Sequence, residues 1–183
     1  MKNLIWQMKS SAKQLNRVLT VSMTGMLIAL SVVLSFFTIA LSNVLQIGFA
    51  FLPLAAGGML YGPVVGGIMG VLSDVLGYFV RPNGPFFPGF TLNALISGAL
   101  YGFFLYKRTV TLKRVIAVSV LITILVNMLL NPLWLSIMYG NAFIVLFTGR
   151  IVKNLVMLPI NTTLLYSILK LVERIKIRDR VSG

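Results

Sequence analysis

The chain has 183 residues, 58% of them hydrophobic and 10% charged, with a formal net charge of +13. Soluble domains are about 45–50% apolar and about 25% charged, so this composition describes a protein whose surface faces lipid. With no Cys, no His and three acidic residues in all, disulfides and thiol metal sites are excluded and acid–base chemistry has little material.

The basic residues flank apolar runs, an arrangement that fits a membrane surface rather than nucleic acid. Gly57 and Gly62 have the spacing of the two Walker A glycines, but Pro63 stands where the Lys is required.

The first predicted element, Met1 to Arg17, alternates Lys2, Lys9, Lys13 and Arg17 with Leu4, Ile5, Trp6 and Met8. It is similar to the n-region of a signal peptide, yet the apolar run behind it is too long for an h-region and shows no cleavage site. We read it as a retained segment in contact with membrane lipid, leading into the first span.

A spanning helix needs about 20 apolar residues. The first is expected at 18–37. The apolar region 47–80 is too long for one span, and Tyr61-Gly62-Pro63 divides it into 47–60 and 63–80, because Pro favours a helix start. The shorter piece is expected to tilt or to pack inside the bundle. The remaining spans are expected at 89–106, 115–138 and 142–171. The fold class is therefore an all-α membrane protein with six transmembrane helices in one domain, 1–183, without a linker or internal repeat.

Thirteen of the sixteen basic residues fall on the side shared by both termini and the second and fourth loops. The opposite loops hold only Arg81. By the positive-inside rule both termini are cytoplasmic.

Arg150 and Lys153 remain, inside the sixth span, with Asn154 on the same face. A cation at a helix centre costs about 2.5–3.5 kcal/mol on the insertion scale, so these residues are expected to face a cavity or an ion-pair partner. Asn127 and Asn131, spaced i, i+4 and continued by Trp134 and Met138, form a second polar stripe, either interhelical glue or ligand contacts. Asp74, in the third span, is the sole acid before the C-terminal tail. It either pairs with Arg150 or Lys153 or touches a ligand. One carboxylate cannot neutralise two cations, and an anionic ligand entering from outside would supply the missing charge. The third outer loop, Arg81 to Phe90, sets Phe86, Phe87 and Phe90 among three Pro and two Gly. It is either an interfacial belt or, with Trp134 and Tyr139, a pocket for a planar ring. Gly25 with Ala29, and Gly66 with Gly70, have the spacing that brings helix backbones together.

Several segments carry a family resemblance. They are Met26 to Ser35; Phe51-Leu-Pro-Leu-Ala-Ala-Gly-Gly-Met-Leu-Tyr-Gly-Pro63; Gly70-Val-Leu-Ser-Asp-Val-Leu-Gly77; Phe87-Pro-Gly-Phe-Thr-Leu92 with Gly98 to Gly102; and Arg150 to Asn154 with Leu158-Pro159. Through them the chain resembles the substrate-binding S component of energy-coupling factor (ECF) vitamin transporters, folate subfamily.

The resemblance implies a six-helix protein of the bacterial cell membrane that captures folate in an outward-open pocket. The pocket would be built from the outer halves of the last three helices and the outer loops, with the loop at Thr38–Gln46 as lid. It also implies delivery through a shared module of a transmembrane coupling protein and two ATPases. Gly25 and Ala29 stand at the positions of the family's Ala-xxx-Ala docking pattern, with Gly a departure that keeps the small surface.

Folate carries a planar pterin, an aminobenzoyl ring and a glutamate tail. Under that resemblance the candidate binding residues are Arg150 and Lys153 for carboxylates, Asn127, Asn131 and Asn154 for the pterin edge, Phe86, Phe90 and Trp134 for stacking, and Asp74. No cofactor is expected. Other readings are an S component for riboflavin or pantothenate, or a self-sufficient secondary carrier using Asp74. An enzyme would need a Ser or Tyr constellation that the sequence does not show.

Overall fold

The structure is a computed structural model and describes residues 2–40, 46–82, 85–140 and 143–181. Its elements are α1 (Lys2–Gln14), α2 (Val18–Phe36), a hairpin of β1 (Thr38–Ala40) and β2 (Gln46–Gly48), α3 (Phe51–Tyr61), α4 (Pro63–Val80) and α5 (Pro88–Leu105). There follow α6 (Leu112–Ile122), a π-helical segment (Thr123–Leu130), α7 (Asn131–Tyr139) and α8 (Phe143–Val181). Helices dominate, as expected, and among the described residues five helical stretches are long and apolar enough to cross a membrane, with α3 as a shorter sixth apolar helix.

α1 is an amphipathic helix anchored by one hydroxyl. Ser11, fully buried, donates to the Tyr61 carbonyl at 2.8 Å and accepts from the Val64 and Val65 amides at 3.1 and 3.2 Å. Those amides are orphan donors of the first turn of α4. Gly62, at the N-cap position, has no side chain to satisfy them, so α1 supplies the cap from another part of the chain. Gly62 has φ +96°, and a Cβ there would lie 2.7 Å from that of Ser11.

α2 buries Thr20, Thr24, Ile28 and Ser31 along one stripe and exposes Val18, Leu19, Met26 and Val33. In this protein the exposed apolar face is the one that lipid covers. Ser31 Oγ donates to the Ala50 carbonyl at 2.7 Å, tying α2 to the start of α3.

The second expected span begins later than its hydropathy suggests. Ile47 pairs with Ile39 in the antiparallel hairpin, whose register also matches Thr38 with Gly48 and Ala40 with Gln46, and the helix starts at Phe51. Over so short an apolar run, periodicity does not separate a strand from the start of a helix. Residues 41–45 of the expected lid lie outside the described residues. α3 has 11 residues, all of Leu52–Met59 buried, a helix of about 16 Å enclosed by its neighbours.

α4 and α5 meet backbone to backbone. A Cβ at Gly66 would strike the Gly98 carbonyl, one at Gly70 the Ala94 carbonyl, and one at Gly102 the backbone of Pro63. The Gly66/Gly70 spacing is therefore intramolecular packing. Gly25, by contrast, has nothing within 4 Å of an added Cβ.

The last two expected spans are longer than hydropathy suggested. Residues 112–139 run as one helical rod with a change of pitch in the middle. α8 has 39 residues, passing the expected end at Leu171 because a charged tail can continue a helix beyond the hydrocarbon. Its end is tied to the α5–α6 loop, where the Val110 amide donates to Glu173 at 2.8 Å and Lys170 pairs with Glu173 at 3.0 Å. That loop also meets α1, since Lys107 lies 4.5 Å from the Trp6 ring centroid and donates to Ser10 at 3.1 Å. The basic ends of α1, α8 and this loop thus gather at one end of the bundle.

Candidate functional site

At the opposite end a cavity of about 670 Å³ opens among α2, α3, α4, α5, the residues Arg81 and Pro85 to Phe87 between α4 and α5, the rod formed by α6 to α7, and α8. This volume lies within the range of about 300–1,000 Å³ typical of small-molecule pockets. The site draws on the first helices as well as the last three.

Asp74 is a wall residue. Its carboxylate accepts from Thr91 Oγ1 at 2.7 Å, which fixes its rotamer and leaves Oδ1 for another donor. The alternative of an ion pair with Arg150 or Lys153 is not met. Among the described residues the ion pair is Lys170–Glu173, because Thr91, one turn into α5, is the nearer donor to Asp74.

The aromatic residues of the 81–90 loop and its neighbours form a lining in two layers. Phe86, Phe87 and Phe90 line the cavity. Phe86 packs edge-on against Tyr78 at 5.1 Å and Phe87 against Phe90 at 6.1 Å. Trp134 stands behind this lining, with its ring 5.7 Å from that of Phe87. Gly89 makes the approach possible, since a Cβ there would lie 2.6 Å from the indole.

The asparagines are joined into a relay. Asn93, buried on α5, donates to Asn131 Oδ1 at 2.8 Å and accepts from Trp134 Nε1 at 3.0 Å. Asn131 Nδ2 in turn reaches Asn127 Oδ1 at 3.4 Å. Asn127 is a wall residue, whereas Asn131 and Trp134 are not. The two readings of the stripe divide along its length: its inner member faces the cavity and the others cross-link helices.

On α8 the wall residues are Leu158, Asn161 and Leu165. Arg150, Lys153 and Asn154 are half-buried and lie outside the cavity wall. Arg150, Asn154, Leu158, Asn161 and Leu165 nevertheless follow spacings of four, four, three and four, which keeps them within about 80° of one helix face. Arg150 therefore sits about 12 Å along this face from Leu158, toward the loop end of the bundle.

Sequence reasoning missed Ser73, Asn93 and Asn161. The oxygens Ser73 Oγ and Asn161 Oδ1 are buried without a hydrogen-bond partner, as is Thr162 Oγ1, and the first two belong to wall residues. Asn161 was signalled by its place on the Arg150–Asn154 face, while Asn93 had no such periodic partner. The wall combines aromatic faces, one carboxylate, amides and hydroxyls with open hydrogen-bonding capacity, a set suited to a planar heteroaromatic molecule.

The chain was compared with known proteins. The family described as "ECF transporter, substrate-specific component" matches residues 19–169. A protein of Clostridium novyi (strain NT) named "Folate transporter FolT" is 42% identical over 156 residues, 85% of this chain and 91% of that one. A protein of the same name from Leuconostoc mesenteroides subsp. mesenteroides is 36% identical over 151 residues, 79% and 81% of the two chains. Among solved structures, one described as "Crystal structure of FolT bound with folic acid" is similar with a TM-score of 0.74 and 40% identity, covering 82% of this chain and 92% of that one. This multi-pass helical chain thus belongs to the family of substrate-specific components of ECF transporters.

Proposed function

We propose that the protein is the folate-binding S component of an ECF-type importer, capturing folate outside the cell and handing it to an ATP-driven module. The observation that carries the reading is an aromatic and polar cavity of about 670 Å³ in a chain 42% identical to a folate transporter.

In this reading the six apolar helices all count as spans, with α3 enclosed by the others. Both termini are cytoplasmic by the distribution of Lys and Arg, and the cavity opens outward. Phe86, Phe87 and Phe90 stack on the rings, with Trp134 buttressing Phe87. Asp74, Asn127 and Asn161 meet the polar edge of the pterin, and Asn131 holds Asn127 in place. Arg150, with Lys153 and Asn154 beside it, lies along the α8 face beyond the wall, where an elongated ligand would carry its glutamate carboxylates.

Gly25 and Ala29, exposed on α2, are the docking face for the transmembrane coupling protein, which in turn engages two ATPases. Binding needs no ATP and no cofactor; transport needs the module.

The test is folate titration of the purified chain without ATP, with riboflavin and pantothenate as competitors. Tight folate binding untouched by either competitor is expected. Binding of riboflavin or pantothenate in preference to folate would refute the substrate. Folate uptake into liposomes by the isolated chain under an ion gradient would refute the S-component role.

A further inference from the structure

The helical rod at 112–139 is interrupted by eight residues of π-helix, Thr123–Leu130. Such segments are rare and cluster at functional sites. This one has a cause in the sequence. Pro132, fully buried, has no amide to donate, and in an α-helix its ring would collide with the carbonyl of Met128. Widening the preceding turns avoids the clash, and the Asn131 amide bonds five residues back, to Val126.

The change of pitch alters which residues share a face. Ser119 lines the cavity before the π-helical segment, Thr123 and Asn127 within it, and Leu135 and Met138 after it. In an uninterrupted α-helix, at about 100° per residue, Leu135 would sit about 160° around from Ser119, on the far side of the rod. With eight residues at about 82° each, the two fall within about 20° of one another. Asn127, Asn131 and Trp134 share in this register, because Asn131 and Trp134 both reach Asn93 on α5 while Asn127 stays on the wall.

We propose that Pro132 is a positioning residue for ligand binding: by imposing the π-helical turn it rotates α7 so that both halves of the span form one wall of the site. This rests on the folate-binding reading above. Pro132 itself touches no ligand; it acts through Asn127, Leu135 and Met138.

Because the chain has no native Cys, single Ser119→Cys, Leu135→Cys and Thr111→Cys variants can be probed with a water-soluble thiol reagent with and without folate. Folate is expected to slow labelling at positions 119 and 135 at least fivefold and to leave position 111, exposed in the α5–α6 loop, unchanged. Protection at 119 without protection at 135 would overturn the proposal, since that is the pattern of a plain α-helix.

In a second arm, Pro132→Ala is expected to weaken folate binding at least tenfold and to abolish protection at position 135. The double variant Asn127→Ala/Pro132→Ala is expected to bind within about threefold of the weaker single variant. Unchanged affinity in Pro132→Ala, or losses that multiply in the double variant, would overturn the proposal. Should Pro132→Ala fail to fold, the labelling pattern of the Pro132-containing chains decides alone. If the parent chain binds no folate, the functional reading fails, while labelling rates without ligand still show whether 119 and 135 share the water-accessible face.

Discussion

Replacing Asn93 by Ala tests whether the polar relay supports the ligand site. Asn93 donates to Asn131 at 2.8 Å and accepts from Trp134 at 3.0 Å, and only 5% of its surface is exposed. Truncation leaves the indole N–H and the Asn131 carbonyl oxygen unpaired in a low-dielectric interior. Interhelical hydrogen bonds in membranes average about 0.6 kcal/mol, because the unfolded chain in lipid finds other partners. A buried group left without any partner costs about 1–3 kcal/mol. Two such groups span about 2–6 kcal/mol, and the weak average for membrane hydrogen bonds places the loss at the lower end, about 2 kcal/mol. Trp134 backs Phe87, a cavity wall residue, so much of that loss is expected at the site. A share of about 1.4 kcal/mol corresponds to a tenfold weaker affinity. Titration calorimetry with folate should show that loss, and the thermal midpoint in detergent should fall. Asn93→Asp keeps an acceptor for Trp134 but buries a carboxylate against the Asn131 carbonyl oxygen, and should lose at least as much. Wild-type affinity and midpoint in Asn93→Ala would refute the reasoning, because the relay would then carry no load.

Other outcomes follow from the same geometry. Arg150→Ala should weaken folate binding at least tenfold, about 1.4 kcal/mol, yet leave unchanged the affinity for pteroate, which lacks the glutamate; equal losses for both ligands would move Arg150 onto the pterin. Gly98→Ala places a Cβ against the Gly66 carbonyl and should destabilise by about 1–3 kcal/mol, measured as a lower thermal midpoint. Gly149→Ala, a helical position with open space around its Cβ, should be neutral or stabilising by up to about 1 kcal/mol. Gly25→Leu should leave folate binding by the isolated chain unchanged and block uptake in liposomes containing the complete importer.

Much of this was readable in the residues. The apolar runs located the spanning helices, and Tyr61-Gly62-Pro63 divided α3 from α4 because Pro fixes a helix start and a positive φ requires Gly. Asp74, Phe86, Phe90 and Asn127 were singled out as polar or aromatic exceptions, and all four lie on the cavity wall. What remained hidden depends on contacts between distant segments. Ser11 looked like one more polar residue of α1, and nothing local shows that its hydroxyl caps a helix some fifty residues away. Asn93 acquires its role only when α5 packs against the α6–α7 rod. The stripe from Asn127 to Met138 was read with a single helical period, and Pro132 broke that period.

Burial sharpens the location of the site beyond what polarity alone provides. In lipid or a packed interior, a polar atom without a partner costs free energy that no water can offset. Of the three such oxygens among the described residues, Thr162 Oγ1 lies away from the cavity and the other two lie on its wall, where a ligand can complete them. Ser73 Oγ and Asn161 Oδ1 are such atoms, on α4 and α8, and both residues border the same cavity. Asp74, next to Ser73, has one oxygen held by Thr91. Asn127, on a third helix, uses its carbonyl oxygen within the relay, leaving its amide hydrogens for the cavity. The open capacity therefore comprises a hydroxyl, a carboxylate oxygen and amide groups distributed around one cavity. A planar molecule with donors and acceptors on its rim satisfies them together; a hydrophobic molecule of the same size would leave them all unpaired. The proposed preference for a polar planar ligand rests on that asymmetry, and the aromatic lining alone would not supply it.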